Sequence, residues 1–291
     1  MAISNLQLNT WSHQGSITNS ADTANSIKYA LNNNLKVPNG VTYEVYLSGS
    51  YKNDTNVYGE SDVDTVVELT SSFYHNLNEP EKQNFGFISA EYGYFDFKQA
   101  VIKCLNDYYG EKHIDVGSKA IKIYPPNSNR LHADVLVCST YRLYTDRSKE
   151  TAYIKGVAFY IKNSLTRVIN FPRRHSDNDT VKHQATASRF KPTVRIIKNM
   201  RNRLVANGAF TKKKAPSYFI ECLLYNVPNV NFVSDNSTTI YNVLLYLNNS
   251  NWDSFICTNG ITPLWGSSTE TWDQTSAREF LAALIKLWND N

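Results

Sequence analysis

The stretch Leu47-Ser-Gly-Ser-Tyr-Lys-Asn-Asp-Thr-Asn-Val-Tyr-Gly-Glu-Ser-Asp-Val-Asp-Thr-Val-Val67 holds more chemistry than any other part of this 291-residue chain. An apolar run ends at Gly49-Ser50, and after eleven further residues Asp62-Val-Asp64 opens a second apolar run. Carboxylates at i and i+2 of a strand point to the same face. Like charges that close are costly unless a cation lies between them, and hard oxygen ligands suit Mg2+. Gly49 lets the backbone come close to a ligand. Ser50 stands where a helix is expected to begin, and helix N-termini favour phosphate. A phosphate cradle combined with a carboxylate metal site is what nucleotidyl transfer requires.

Two-metal phosphoryl transfer calls for a further carboxylate. Asp134, in His132-Ala-Asp-Val-Leu-Val-Cys138, is a lone acid entering a β-branched apolar run that reads as a buried strand. Ala120-Ile-Lys-Ile-Tyr124, followed by Pro125-Pro126, reads as its neighbour in a sheet. Without any function, Asp62 and Asp64 are a surface turn before a strand, Asp134 is a strand-end acid, and Ser50 is an ordinary helix cap.

These residues resemble the DNA polymerase β-like nucleotidyltransferase superfamily, whose pattern is an apolar strand, Gly-Ser, a spacer, Asp-x-Asp and a later strand-borne Asp. More closely, Gly49-Ser50-x-x-x-x-Thr55 with Glu60-Ser-Asp-Val-Asp64 is similar to the bacterial cGAS/DncV-like nucleotidyltransferases, the CD-NTases. The later stretches Asn170-Phe-Pro172, Arg189 to Lys198 and Pro216 to Leu224 resemble the helical half of that family, most of all the short clade E enzymes (CdnE). The resemblance covers most of the chain. It implies an enzyme that condenses ribonucleoside triphosphates into a cyclic oligonucleotide for anti-phage (CBASS) defence, whose product activates a separate effector protein, with no nucleic-acid activator.

On that basis Asp62, Asp64 and Asp134 are the expected catalytic and metal-binding residues, holding two Mg2+ (or Mn2+) ions. Gly49 and Ser50 are expected to bind the outer phosphates. The family's helix lysine and Ser-Tyr pair, which contact the triphosphate and stack on the base, correspond by order and approximate spacing to Lys198 and Ser217-Tyr218. Base stacking on an aromatic is sequence-tolerant; taken alone, Tyr218 also fits an ordinary core tyrosine. Asn170 has apolar neighbours and a carboxamide that can pair with N3 and O4 of uracil. Clade E enzymes use an asparagine in this region to favour uridine, so UTP and ATP are the expected substrates and cyclic UMP-AMP or cyclic di-UMP the expected product. Asn170 also fits as the cap of a turn.

The composition suits a globular enzyme. Hydrophobic content of 42% and aromatic content of 13% supply a real core, and the net charge of +4 excludes a polybasic nucleic-acid binder. No signal peptide or membrane-spanning run is expected, which points to the bacterial cytoplasm. The cysteines at 104, 138, 222 and 257 lack zinc-ligand spacing and read as buried thiols.

The pattern along the chain predicts an α+β fold: a polymerase β-like nucleotidyltransferase core over residues 1–162, a packed α-helical lobe over 163–291, and the active site in the cleft between them. Helices are predicted over 18–32, 96–109 (with Phe97, Val101, Cys104, Leu105 and Tyr108 on one side), 189–207, 216–226, 236–249 and 274–289. Strands are predicted over 42–48, 62–69, 119–124, 132–139 and 153–161. Val181 to Ile220 carries ten Lys or Arg and no acid, with Lys191, Arg195 and Lys198 on one side of a helix. That stripe is either a solvated face or a phosphate contact. Lys212-Lys213-Lys214 reads as an exposed loop. Rival readings are another polymerase β-like transferase acting on RNA, an antibiotic or a protein, a purine-only cyclic dinucleotide synthase, and a non-catalytic nucleic-acid-binding module using the basic stripe.

Overall fold

Val63 to Leu69 is buried at nearly every position, on both faces of the strand. That is the signature of a central strand covered on both sides. The computed structural model describes residues 3–15, 18–59, 62–124 and 131–290. Along the chain run α1 (Asn5–Ser12), α2 (Thr18–Asn34), β1 (Tyr43–Leu47), α3 (Gly49–Lys52), β2 (Val63–His75), α4 (Glu79–Asn84), α5 (Tyr94–Tyr109), β3 (Ile114–Val116), β4 (Ile121–Ile123), β5 (Ala133–Tyr144), β6 (Tyr153–Tyr160), β7 (Arg167–Asn170), α6 (Pro172–Ala185), α7 (Phe190–Ala206), α8 (Ser217–Tyr225), α9 (Asn236–Asn249) and α10 (Gln274–Asn289). The fold is α+β. Among the described residues no helix is long and apolar enough to cross a membrane, and all four cysteines are free and buried.

The chain divides into two compact units. A sheet unit comprises Ile17–Ser48 and Asp62–Arg173, and a helical unit comprises Met1–Ser16, Gly49–Ser61 and Arg174–Asn291. Each unit draws on separate stretches of the sequence. The reasons are local: α1 packs on α7 and α9, α3 packs on α8, and β7 pairs with β6.

In the sheet unit the strands run β1-β2-β5-β4-β3, with β6 and then β7 continuing from β5. β2 and β5 are parallel, whereas every other pairing is antiparallel. One edge of β5 is shared: β4 pairs with Ala133 to Val135, and β6 takes over from Ser139. β2 continues past the predicted end at Leu69, through a register shift, to Phe73 and His75. Polar residues 70–72 hid that extension. Helices α2 and α5 cover one face, burying Ile27 and Leu31 with Phe97, Val101 and Leu105 against Val63, Val67 and Val135. Each such side chain stabilises the fold by about 1.5–3 kcal/mol. Helix α5 stops at Gly110, whose φ of 88° suits glycine. Tyr109, not the predicted Tyr108, turns inward, and its hydroxyl bonds Ser26 Oγ at 2.8 Å; Tyr108 is exposed. Pro125-Pro126, which follows the neighbour strand predicted over 119–124, lies outside the described residues, as do Glu60 and Ser61.

The helical unit is built on α7, whose Phe190, Val194, Ile197 and Met200 pack with Phe219 and Leu223 of α8, Ile240 and Leu244 of α9, and Phe280 and Leu284 of α10. Asp235 and Asp273 start α9 and α10 by accepting hydrogen bonds from Thr238 N–H and Ser276 N–H. In this unit, two of the named helices escaped sequence reading. Helix α1 is short, and α6 is polar throughout, with no apolar stripe to betray it.

Candidate active site

In the sheet unit, Asp64 is the second residue of β2 and Asp134 the second of β5, and the two are direct register partners across the parallel pair. Both are half-buried. Residues opposite each other in a sheet share a face, so the two carboxylates stand side by side. Lys122 of β4 is the register partner of Asp134 on its other side, and Asp115 of β3 is the partner of Lys122. A charged row therefore runs Asp64, Asp134, Lys122, Asp115 across the sheet. At the β1 edge, Ser48 N–H donates to the Asp64 carbonyl at 2.9 Å, pinning the strand's end to the same level. Asp62 is exposed just before β2. Burial, then the Asp62 charge, raise the Asp134 carboxyl above its usual range, and Lys122 partly offsets them. Three acids at one end of the parallel β2–β5 pair against a single lysine are short of positive charge. A divalent cation fits that deficit and that all-oxygen donor set.

Asn170 closes β7 as the register partner of Val157 and is half-buried. The chain that follows is held tightly. A Cβ on Gly156 would come within 2.7 Å of the Phe171 ring. Arg173 pairs with Glu44 and lies 4.0 Å over the Tyr46 ring. Glu68, fully buried, accepts from Thr140 Oγ1 at 2.6 Å and Tyr46 Oη at 3.1 Å, and pairs with Lys155 at 3.0 Å.

In the helical unit, Gly49 has φ of 65° and opens the single turn α3. The turn is locked by Asn53 N–H to the Gly49 carbonyl (3.1 Å) and Thr55 N–H to the Ser50 carbonyl (2.9 Å). Side chains beneath it converge on Thr55. Its hydroxyl donates to Glu221 Oε1 at 2.7 Å, and Lys198 Nζ reaches both Thr55 oxygens (3.1 and 3.2 Å) and Glu221 Oε1 (2.5 Å). Lys198 is 1% exposed. Lys198, expected to meet a triphosphate, has its ammonium inside the unit, holding the motif's own Thr55. The same holds for the rest of the stripe. Lys191 pairs with Asp54 at 2.9 Å, and Arg195 donates to the Ser12 and Asp54 carbonyls. The face that read as solvated or phosphate-facing is buried because the Asp54–Thr55 segment needs cations beneath it. Asp54 itself has φ of 56°. A nucleic-acid-binding stripe on this helix is thus ruled out for Lys191, Arg195 and Lys198. Lys212-Lys213-Lys214 is exposed as predicted, with Lys214 paired to Glu279.

Ser217 begins α8, and its hydroxyl accepts from Arg201 at 3.4 Å. Tyr218 is half-buried, its ring 4.7 Å from the His175 ring and 5.4 Å from that of Trp272. Burial, with Cys222 next to it, pushes its hydroxyl far up, so the ring stays neutral.

No motif or spacing marks the group around His175. Its Nε2 lies 2.8 Å from Glu221 Oε2, 3.1 Å from Asp179 Oδ2 and 3.2 Å from the Asn53 amide. Burial works against a charge on His175, but Asp179 and Glu221 outweigh it and raise its pKa to about 10. Glu221 is held far below the carboxylate range, Lys198 and His175 overcoming burial, while burial raises Asp179. Helix α6 was invisible to the periodicity that locates helices, so His175 and Asp179 had no predicted partners.

A family model for the cGAS/DncV-like nucleotidyltransferase C-terminal helical domain matches residues 177–289. The chain is 42% identical to the cyclic UMP-AMP synthase of Rhodothermus marinus over 99% of this chain and 98% of that protein. It belongs to the cGAS/DncV-like nucleotidyltransferases. A structure of the Rhodothermus marinus CdnE c-UMP-AMP synthase with Apcpp and Upnpp superposes with a TM-score of 0.93, at 42% identity, covering 99% of this chain and 97% of that one. A cyclic dipurine nucleotide synthase from Elizabethkingia meningoseptica is 32% identical over 84% of both chains. This CD-NTase is therefore a nucleotidyltransferase of the CdnE type, from a metal-dependent family that uses nucleoside triphosphates.

Proposed function

We propose that this CD-NTase joins UTP and ATP into a uridine-containing cyclic dinucleotide, cyclic UMP-AMP, releasing pyrophosphate at each bond. The observation that carries the chemistry is the Asp64–Asp134 register pair with Asp62 beside it. The similarity to a cyclic UMP-AMP synthase over nearly the whole chain supports the choice of product.

Asp62 and Asp64 would hold two Mg2+ or Mn2+ ions, and Asp134 would hold the one nearer the attacking ribose. When bound, these ions neutralise the triphosphate and acidify the attacking hydroxyl. The chain's own work is orientation. Gly49 and Ser50 bind the outer phosphates through backbone amides and a hydroxyl, and Ser217 assists. Tyr218 stacks on a base without reading its identity. Lys198 contributes indirectly, by fixing Thr55 and with it the turn that carries Ser50. Asn170 offers one donor and one acceptor to a uracil edge. Catalysis then rests on proximity, with no covalent intermediate.

The functional division, a catalytic half over 1–162 and a helical half over 163–291, belongs to the same proposal. So do action in the bacterial cytoplasm and a separate effector that responds to the product in anti-phage defence. Incubating the protein with all four triphosphates and Mg2+ and weighing the phosphatase-resistant product tests it. A cyclic UMP-AMP mass is expected. A product containing only purines overturns the uridine assignment, and the absence of any cyclic product overturns the synthase assignment.

A further inference from the structure

His175 has no place in the chemistry above, yet it sits where several of its parts meet. It is carried by α6, and its side chain is 12% exposed. From there it reaches the Gly49–Thr55 turn by two routes. One is direct, through Asn53 at 3.2 Å. The other route runs through Glu221, whose two oxygens divide their work: Oε2 takes His175, and Oε1 takes Thr55 and Lys198. The His175 ring also packs against Tyr218, which shares a helix face with Glu221 three residues on.

We propose that His175 is a positioning residue for nucleotide binding, tying the Ser50 turn and the Tyr218 ring to one buried centre so that the phosphate site and the base platform are set together. This rests on the nucleotide-binding roles proposed for Ser50 and Tyr218. A metal centre is the competing account, because the ligand atoms of His175, Asp179 and Glu221 lie within 4.8 Å of one another. Charge decides against it. With both carboxylates ionised, the imidazolium and the Lys198 ammonium already balance them. A divalent ion in place of the proton would leave uncompensated positive charge in a buried site.

The test uses the full chain, Mg2+, UTP and ATP, and two variants: His175→Gln, and the charge-balanced pair His175→Gln with Asp179→Asn, which removes one charge of each sign and so protects the fold. Both should raise KM for the triphosphates by about ten-fold or more while kcat changes by less than about three-fold, because base and outer-phosphate contacts hold ground state and transition state alike. A merely structural contribution lowers the folded fraction, and so the apparent kcat, without moving KM. Wild-type KM in whichever variant folds overturns the inference, as does a fall in kcat alone. One equivalent of metal in the wild type that His175→Gln loses would also overturn it. Asp64→Asn with Asp134→Asn runs alongside: turnover surviving there is a failure of the functional reading, whereas its loss together with unchanged KM in the His175 variants is a failure of this inference only.

Discussion

Asp64 and Asp134 stand opposite each other in direct register across the parallel strands β2 and β5. The pairing explains why two acids seventy positions apart in sequence can act as one group. Asp64→Asn with Asp134→Asn should lower the rate of product formation by on the order of 10³-fold or more, with the circular dichroism spectrum unchanged. A folded double variant that turns over at near the wild-type rate would remove these residues from the chemistry.

The same crowding has a stability signature. The Asp134 carboxyl is raised by burial and by Asp62, so its ionised form is disfavoured in the folded state. A raised carboxyl binds its proton more tightly when folded, so its contribution to stability falls as pH rises through the carboxylate range. In chelator at neutral pH, Asp134→Asn should therefore melt at a higher temperature than the wild type. Added Mg2+ should raise the wild-type melting temperature and close the gap. Calorimetric scans with and without the ion check both.

Lys198→Met leaves Glu221 with one cation fewer in a site 2% exposed. Removing one member of a buried pair costs about 3–5 kcal/mol. Lys212→Ala with Lys213→Ala removes exposed charges and should stay within about 0.5 kcal/mol per site. Urea unfolding separates these outcomes. Equal effects would contradict the buried position of Lys198.

His175 gives stability its own pH window. Its pKa rises from 6.5 to about 10 on folding, so the stabilisation it confers is fully present below pH 6.5 and is lost as pH climbs towards 10. Asn53, Asp179, Glu221, Lys198 and Tyr218 face or adjoin it. The difference in unfolding free energy between wild type and His175→Gln should narrow between pH 6.5 and 10. A difference that is flat across that range would mean that His175 is neutral.

Asn170→Ser should shift incorporation from UTP towards purines without abolishing turnover. A lost bidentate contact relaxes discrimination by about 1–3 kcal/mol. Competition between UTP and GTP at fixed ATP, read as product ratios, checks this. An unchanged ratio would assign base choice elsewhere.

The strands that carry the acids could be read from sequence because β-branched runs entered by lone acids are a local pattern, and α7 to α10 because their apolar residues repeat with helical period. The interleaving of the units could not, since it depends on where α1 and the 49–59 segment pack. The stripe on α7 was visible, but its partners were not. Helical spacing showed that Lys191, Arg195 and Lys198 share a face, yet not that Asp54, Thr55 and Glu221 meet that face. His175 was missed because α6 is polar on every side, so neither period nor spacing marks a residue whose partners come from its own helix and two other segments.

Parallel pairing of β2 with β5 also sets the order of events during synthesis. Antiparallel β1 and β2 are close in sequence and can zip together early, but Asp64 gains Asp134 as a neighbour only after the whole α4–β4 excursion has been made and closed. Long-range pairing of this kind is slow and comes late. A chain still on the ribosome would expose Asp62 and Asp64 as ordinary surface acids and would capture divalent ions no better than any loop. Ion affinity should therefore appear together with the completed sheet, and can serve as a readout that β5 has docked.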